Sequence, residues 1–371
     1  MEGKVRLGIV GCGWITEHRH LPALGRLPGV EVVAVADVDE TRLTRVADRF
    51  RIRTRHQDYR VLLAEGAIEA VAVCTPLPSH AAVGLAVLEA GKHLFIEKPL
   101  AFSLEECDRL IERAAASRRT AMVGLNLRWH RLVRQAREVI RRGGVGSTAM
   151  VSAVLASYHH TIPAWRERRG EGGGVLCEQA VHMYDLWRFV FDSEVEEVFA
   201  TTRAGRWNEE TATVTARLTN GTIVTSAFSW GTGNVCYLDI FGDRGRLHVD
   251  CLRFDGLQLL SRDEHPGDLG VRLRRLPSVL RGLAAVPAAL RDGGAYLASY
   301  REEWRHFLHA VRRGTPVEPT LRDGRRALEV ILAAQASTDL GRPVKVAESG
   351  RRGITGSSSQ TGTLAPVREA T

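Results

Sequence analysis

One of only four lysines among the 51 basic residues of this 371-residue chain closes the apolar run Phe95-Ile96-Glu97-Lys98-Pro99. Arginine stays charged in a protein, whereas a buried lysine can release its proton and join acid–base chemistry. A lysine kept beside a glutamate at a strand end is therefore a catalytic candidate. A second candidate stretch is Gly172-Gly173-Gly174, which leads into Val175-Leu176-Cys177-Glu178-Gln179-Ala180-Val181-His182. Glycines allow a backbone shape that side chains forbid. Glu178 and His182 are four apart and would share a face of a helix. Histidine exchanges protons near neutral pH, and a carboxylate nearby can orient it or raise its pKa. Asp185, one turn later, also admits a purely structural reading.

A third group suits a phosphate-bearing ligand. Val10-Gly11-Cys12-Gly13-Trp14-Ile15-Thr16 follows the first strand pattern and opens the first helical one. Gly11 permits the tight turn, and Gly13 lets the backbone approach a pyrophosphate at the positive helix end. Thr16 stands where the usual third glycine would be. Asp37 ends the next strand, Val33-Ala34-Val35-Ala36, where its carboxylate would accept bonds from ribose hydroxyls and repel a 2′-phosphate. This favours NAD, with NADP as the alternative. Thr75 and Pro76, ending another strand, fall on the ribose and nicotinamide side, with Glu97 and Lys98 at the same sheet edge. His80 either caps its helix or meets the ligand.

These residues need elements to position them. Short β-branched runs at Val5–Val10, Val30–Ala36, 70–74, 93–96 and 121–124 alternate with helical patterns through residue 124, the signature of a parallel sheet wrapped by helices. Ser103 and Glu106 form a capping-box pair. After Asn126 the pattern changes. A helix near 129–142 is followed by strand patterns at 148–157, 195–202, 211–219, 222–230, 235–241 and 246–250, a mainly antiparallel sheet. Asn220-Gly221 signals a hairpin. Helices return at about 297–313 and 322–340. The expected division is 1–125, 126–348 and a flexible tail at 349–371.

The composition, 44% hydrophobic and 25% charged, is that of a globular protein, and the length calls for two domains. No apolar run reaches the roughly 18 residues a membrane span needs, and six cysteines without a paired spacing fit a reducing cytoplasm. A net charge of +8 is spread over arginines not interleaved with aromatics, so neither nucleic acid nor membrane is an expected partner. The arginines 272, 274, 275, 281 and 291 read as one face of a solvated helix. No histidine pair has a matching carboxylate or thiolate set, so no metal is expected.

Together, Gly11-x-Gly13, Thr75-Pro76 with His80, Glu97-Lys98-Pro99 and the triple glycine leading to His182 resemble the Gfo/Idh/MocA family of nicotinamide-dependent oxidoreductases across about residues 4–346. The resemblance implies an α/β fold: an N-terminal Rossmann domain and a C-terminal α/β domain with an open, mostly antiparallel sheet. It implies hydride transfer between NAD and a secondary alcohol or ketone carbon. Lys98 and His182 match the family's site directly, while Glu178 replaces its aspartate. It further implies a polyhydroxylated substrate such as a sugar, amino sugar or cyclitol, touched by Asn126, Arg128, His160 and Trp165, with one of His159 and His160 pointing inward. A homodimer or homotetramer is expected. Related proteins use tightly held NAD for glycoside cleavage or epimerisation, and a non-enzymatic sensor is a further alternative.

Overall fold

The computed structural model describes residues 3–265, 267–274 and 294–349. Six short strands form the first sheet, all aliphatic but the third: β1 Val5–Val10, β2 Val30–Ala36, β3 Thr54–His56, β4 Ala70–Val73, β5 His93–Glu97 and β6 Ala121–Gly124. Their order is β3-β2-β1-β4-β5-β6 and every neighbouring pair is parallel. β4 is buried along its whole length, as a strand covered on both faces must be. Register matters most at one edge. Val10 pairs with Val73, and Val73 with Ile96, so Gly11, Thr75 and Glu97-Lys98 leave the sheet side by side. Strand order reverses between β1 and β4, where such sheets open a ligand crevice.

The second sheet contains β7 Thr148–Tyr158, β8 Val195–Arg203, β9 Thr211–Leu218, β10 Ile223–Ser229, β11 Gly231–Gly242, β12 Gly245–Asp250, β13 Leu257–Ser261 and β14 Val344–Lys345. Its order is β13-β12-β11-β7-β10-β9-β8-β14. All neighbouring pairs are antiparallel except β10–β7. Strict alternation in β9 puts Ala212, Val214, Ala216 and Leu218 into the core and leaves the other face open. The Asn220-Gly221 turn joins β9 to β10, with Gly221 at φ +87°.

Two late helices tie the sheets together. Helix Leu321–Leu340 begins with a Thr320–Asp323 capping box and packs against β8, against β6 and against helix Leu104–Ser117. Helix Ala295–Arg313 returns to the first sheet. Its Tyr300, Trp304, Phe307 and Leu308 share a core with Val5, Leu7, Ile9, Phe95 and Met122. At the Ser103 cap, the serine hydroxyl accepts from Glu106 N, while the Glu106 carboxylate turns to Phe102 N. Of the arginine-rich stretch, residues 275–293 lie outside the described residues, as does the tail from 350 onward.

Candidate active site

The glycine turn is built against the neighbouring strand. Gly11 sits at φ +100°, and a Cβ there would lie 2.4 Å from the Cys74 carbonyl oxygen. Only glycine fits so close a β1–β4 approach. A Cβ on Gly13 would meet nothing within 4 Å, so this glycine fills no need of the protein's own packing; it leaves room beside the helix start. Thr16, fully buried, donates from Oγ1 to the Gly11 carbonyl at 2.6 Å and pins the turn. Asp37 Oδ2 accepts from Cys12 N at 2.7 Å and Oδ1 from Asp39 N at 2.9 Å. The carboxylate thus braces the same loop that would cradle a pyrophosphate. Trp14 is 60% exposed, stacked on His18 with Arg19 over its ring, and Ile15 is half-buried. An open glycine, a braced acidic strand end and a helix start form a cradle that fits a dinucleotide.

Thr75 and Pro76 lie one strand over. His80 is buried, with Nδ1 2.8 Å from the Pro99 carbonyl and Nε2 2.7 Å from the Thr75 carbonyl. Burial foremost lowers its pKa. Of the two readings of His80 the structure supports neither as first put. Both ring nitrogens face backbone carbonyls, and the neutral ring donates to one of them, so the residue packs between the Thr75-Pro76 loop and the Lys98-Pro99 loop.

Glu97 is buried at the end of β5. Burial alone would raise its pKa, but the hydrogen bond from His20 and the charge of Lys98 bring it below the usual carboxylate range. Its Oε2 accepts from Lys98 N at 3.0 Å. Lys98 reaches across to the other half of the protein. Its Nζ donates to the Glu178 carbonyl at 2.9 Å and lies 3.5 Å from Glu178 Oε2.

Glu178 ends helix Val175–Glu178, and a new helix, Val181–Phe191, carries His182. The break at Gln179-Ala180 corrects the expectation of a single helical face shared by Glu178 and His182. Glu178 is bonded to Arg166 as well as facing Lys98, and not to His182. Burial would raise the Glu178 pKa, yet Arg166 and Lys98 pull it down to about 2. His182 goes the other way from expectation: burial, reinforced by Lys98, lowers its pKa to about 3. Its Nδ1 is enclosed without a hydrogen-bond partner among the described residues. The glycine run lets these parts meet. A Cβ on Gly173 would lie 2.1 Å from the Arg166 carbonyl oxygen, so glycine there allows the segment carrying Arg166 to fold back over Glu178.

The expected substrate residues fare unevenly. Arg128 is committed elsewhere: its guanidinium grips Asp185 at 2.5 and 2.7 Å and Asp323 at 2.9 Å, all partly or fully buried. The substrate expectation for Arg128 is thereby corrected, and Asp185 takes the structural reading. Asn126 is buried and donates to Ser299 Oγ at 3.0 Å, a bond within the protein's interior. His160 is exposed and packs edge-on against Tyr158. The inward histidine is His159, which bonds Ser157 at 2.9 Å and feels the charges of Arg166 and Glu178. Trp165 is half-buried, and Arg166 lies over it and over Trp230. Among the described residues no group of three or more His, Cys, Asp or Glu could hold a metal ion. No described helix is long and apolar enough to cross a membrane.

A dinucleotide cradle at the switch point of a parallel sheet, with a lysine just past β5 and a histidine on helix Val181–Phe191 beside it, defines a nicotinamide-dependent oxidoreductase. Residues 5–125 match the oxidoreductase family with an NAD-binding Rossmann fold, and residues 133–248 match its C-terminal domain. The chain belongs to the Gfo/Idh/MocA family of NAD-dependent oxidoreductases. It is similar to myo-inositol 2-dehydrogenase of Thermotoga maritima, 27% identical over 353 residues that cover 93% of this chain and 99% of the relative. Inositol 2-dehydrogenase of Acidothermus cellulolyticus is 34% identical over 208 residues, covering 56% of this chain and 59% of that one. Among solved structures, a probable dehydrogenase from Thermotoga maritima superposes with a TM-score of 0.75 at 25% identity, covering 93% and 99% of the two chains.

Proposed function

We propose that this enzyme oxidises a secondary alcohol of a cyclitol or sugar, or reduces the corresponding ketone, with NAD. The observation that carries this reading is the meeting of Lys98 from β5 with Glu178 and Arg166 from the other half of the chain, beside His182. The names of the inositol dehydrogenases it resembles point to the same substrate class. NAD, when bound, supplies a hydride acceptor and donor at its nicotinamide ring. The Gly11–Gly13 turn and Asp37 hold the dinucleotide, and Thr75 and Pro76, aligned by His80, line its reactive end.

Everything else is work for the side chains. Lys98 places an ammonium against the substrate oxygen and stabilises negative charge as it develops there. His182, neutral at physiological pH because of its lowered pKa, offers a lone pair to the hydroxyl proton. Loss of hydride from the carbinol carbon makes the hydroxyl strongly acidic, so even a weakly basic imidazole accepts its proton as the C–H bond breaks. Glu178, held ionised between Arg166 and Lys98, keeps the lysine aimed. Proton transfer of this kind is worth roughly 10²–10⁴ in rate. His159, with Ser157 beside it, is placed to read a neighbouring hydroxyl.

The test is Lys98→Arg, assayed with myo-inositol and a panel of polyols and keto-sugars by nicotinamide absorbance, alongside NAD binding by calorimetry. Turnover should disappear while the NAD dissociation constant stays within about threefold, since the guanidinium cannot take the compact position of the amine. Wild-type kcat in this variant would remove Lys98 from the chemistry.

A further inference from the structure

The Glu97 carboxylate next to Lys98 is fixed from far away in the chain. Trp304, on helix Ala295–Arg313, donates from Nε1 to His20 Nδ1 at 3.0 Å. His20 Nε2 lies 2.9 Å from Glu97 Oε1, and Glu97 Oε2 accepts the backbone N–H of Lys98 at 3.0 Å. Trp304 and His20 are fully buried and Glu97 nearly so. Tryptophan can only donate. Its bond therefore requires a lone pair on Nδ1, which leaves the ring proton on Nε2, pointing at Glu97. Burial lowers the proton affinity of the His20 ring, while the Cys74 thiol and Glu97 raise it, with an upward net effect. A second ring proton nonetheless has no place while Trp304 donates to Nδ1. Aromatic packing holds the donor still: Trp304 stacks on Phe95 with centroids 4.2 Å apart, and His20 sits edge-on to Phe95, Tyr300 and Trp304.

We propose that Trp304 and His20 are positioning residues for the reaction, acting in series through Glu97 to set the place of Lys98. The path starts from a helix late in the chain, crosses the π-type turn Thr16–His20 that carries the cofactor loop, and ends at the lysine. His20 follows Thr16 by one turn. The same short segment thus anchors the glycine loop at one end and the Glu-Lys-Pro segment at the other. Neither residue reaches a ligand; each fixes the geometry of one that does. The inference rests on the assignment of Lys98 above.

The experiment compares Trp304→Phe, His20→Gln, His20→Ala and Lys98→Met in the full-length protein, measuring kcat, KM for polyol and the NAD dissociation constant. Trp304→Phe keeps the ring stack and removes only the N–H. It should lower kcat about tenfold with NAD affinity and KM within twofold. His20→Ala should lower kcat about a hundredfold, and His20→Gln, whose amide can still donate to Glu97, should recover most of that loss. If Lys98→Met is inactive while Trp304→Phe and His20→Ala match wild type, the positioning chain is refuted and the lysine assignment stands. If Lys98→Met keeps wild-type kcat, the assignment itself fails. A purely structural role would show as equal losses in kcat and NAD affinity without rescue by glutamine, and would also overturn the inference.

Discussion

Glu178→Gln removes one charge from the centre of the site and almost no volume. Glu178 and Lys98 are 9% and 12% exposed at the side chain and 3.5 Å apart, with Arg166 bonded to the same carboxylate. At an effective dielectric near 20, one such pair is worth about 5 kcal/mol of Coulomb energy. Much of that is offset by the desolvation of both partners. Removing the anion leaves Lys98 and Arg166 as two neighbouring cations with a neutral amide between them, and breaking a buried pair typically costs about 3–5 kcal/mol. The Glu178 backbone carbonyl still accepts from Lys98, so the loss should fall at the lower end. We expect Tm to drop by about 4 °C. We expect kcat to fall about a hundredfold as the lysine loses its aim, and the NAD dissociation constant to stay within twofold. Scanning fluorimetry and steady-state assays at saturating NAD read both. A variant with kcat within threefold and Tm within about 1 °C of wild type would refute the reasoning, because the carboxylate would then neither pair with nor place Lys98.

Other outcomes follow from neighbouring features. Arg128→Met should destabilise the fold by about 3 kcal/mol by leaving Asp185 buried without its partner, while KM for substrate stays within twofold; a large KM increase at unchanged Tm would return Arg128 to the substrate pocket. Acid should weaken the protein early. His182 and His130 have pKa values lowered to about 3 and about 4, so the unfolded chain binds more protons than the folded one below the ordinary histidine range. Their contribution is therefore full above about pH 6.5 and is lost as pH falls toward 4, at about 1.4 kcal/mol per pH unit for each histidine. Urea midpoints that stay level from pH 7 to pH 5 would contradict this.

Much of the first sheet was legible because every strand but β3 is a self-contained aliphatic run bounded by turn residues. Gly11, Asp37, Thr75 and Glu97-Lys98 could be placed because parallel register brings strand ends to one edge. What escaped depends on tertiary contacts. β3 has only three residues and no apolar pattern of its own. The parallel pairing of β7 with β10 joins segments that local alternation cannot match. Arg128 looked available because nothing near it in sequence is acidic; its partners stand 57 and 195 residues away. The helix break at Gln179-Ala180 leaves no mark in a period-four pattern, so Glu178 was assigned to His182 when Arg166 held it. His20 and Trp304 are separated by 284 residues. A histidine one turn into the first helix gave no sign of its partner. His159 and His160 lie just past the end of β7, where one step along the chain separates the inward ring from the exposed one.

The placement of helix Ala295–Arg313 has a consequence for how the protein is made. The first sheet is complete once residue 124 has been synthesised, but the apolar face formed by Val5, Leu7, Ile9, Phe95 and Met122, only partly covered by Leu21, Leu24, Val46 and Ala47, gains the rest of its cover from residue 295 onward. At roughly 5–20 residues per second, the ribosome leaves that face partly open for about 10–30 s while the second sheet is made. Nascent chains in that window are the ones that need a chaperone, and a fragment ending at residue 125 should bind the dye ANS strongly where the full-length enzyme does not. Equal dye binding by the two would mean that the early segment hides the face in some other way. The helix that closes the core also brings Trp304, so the lysine site is finished only when nearly the whole chain has emerged.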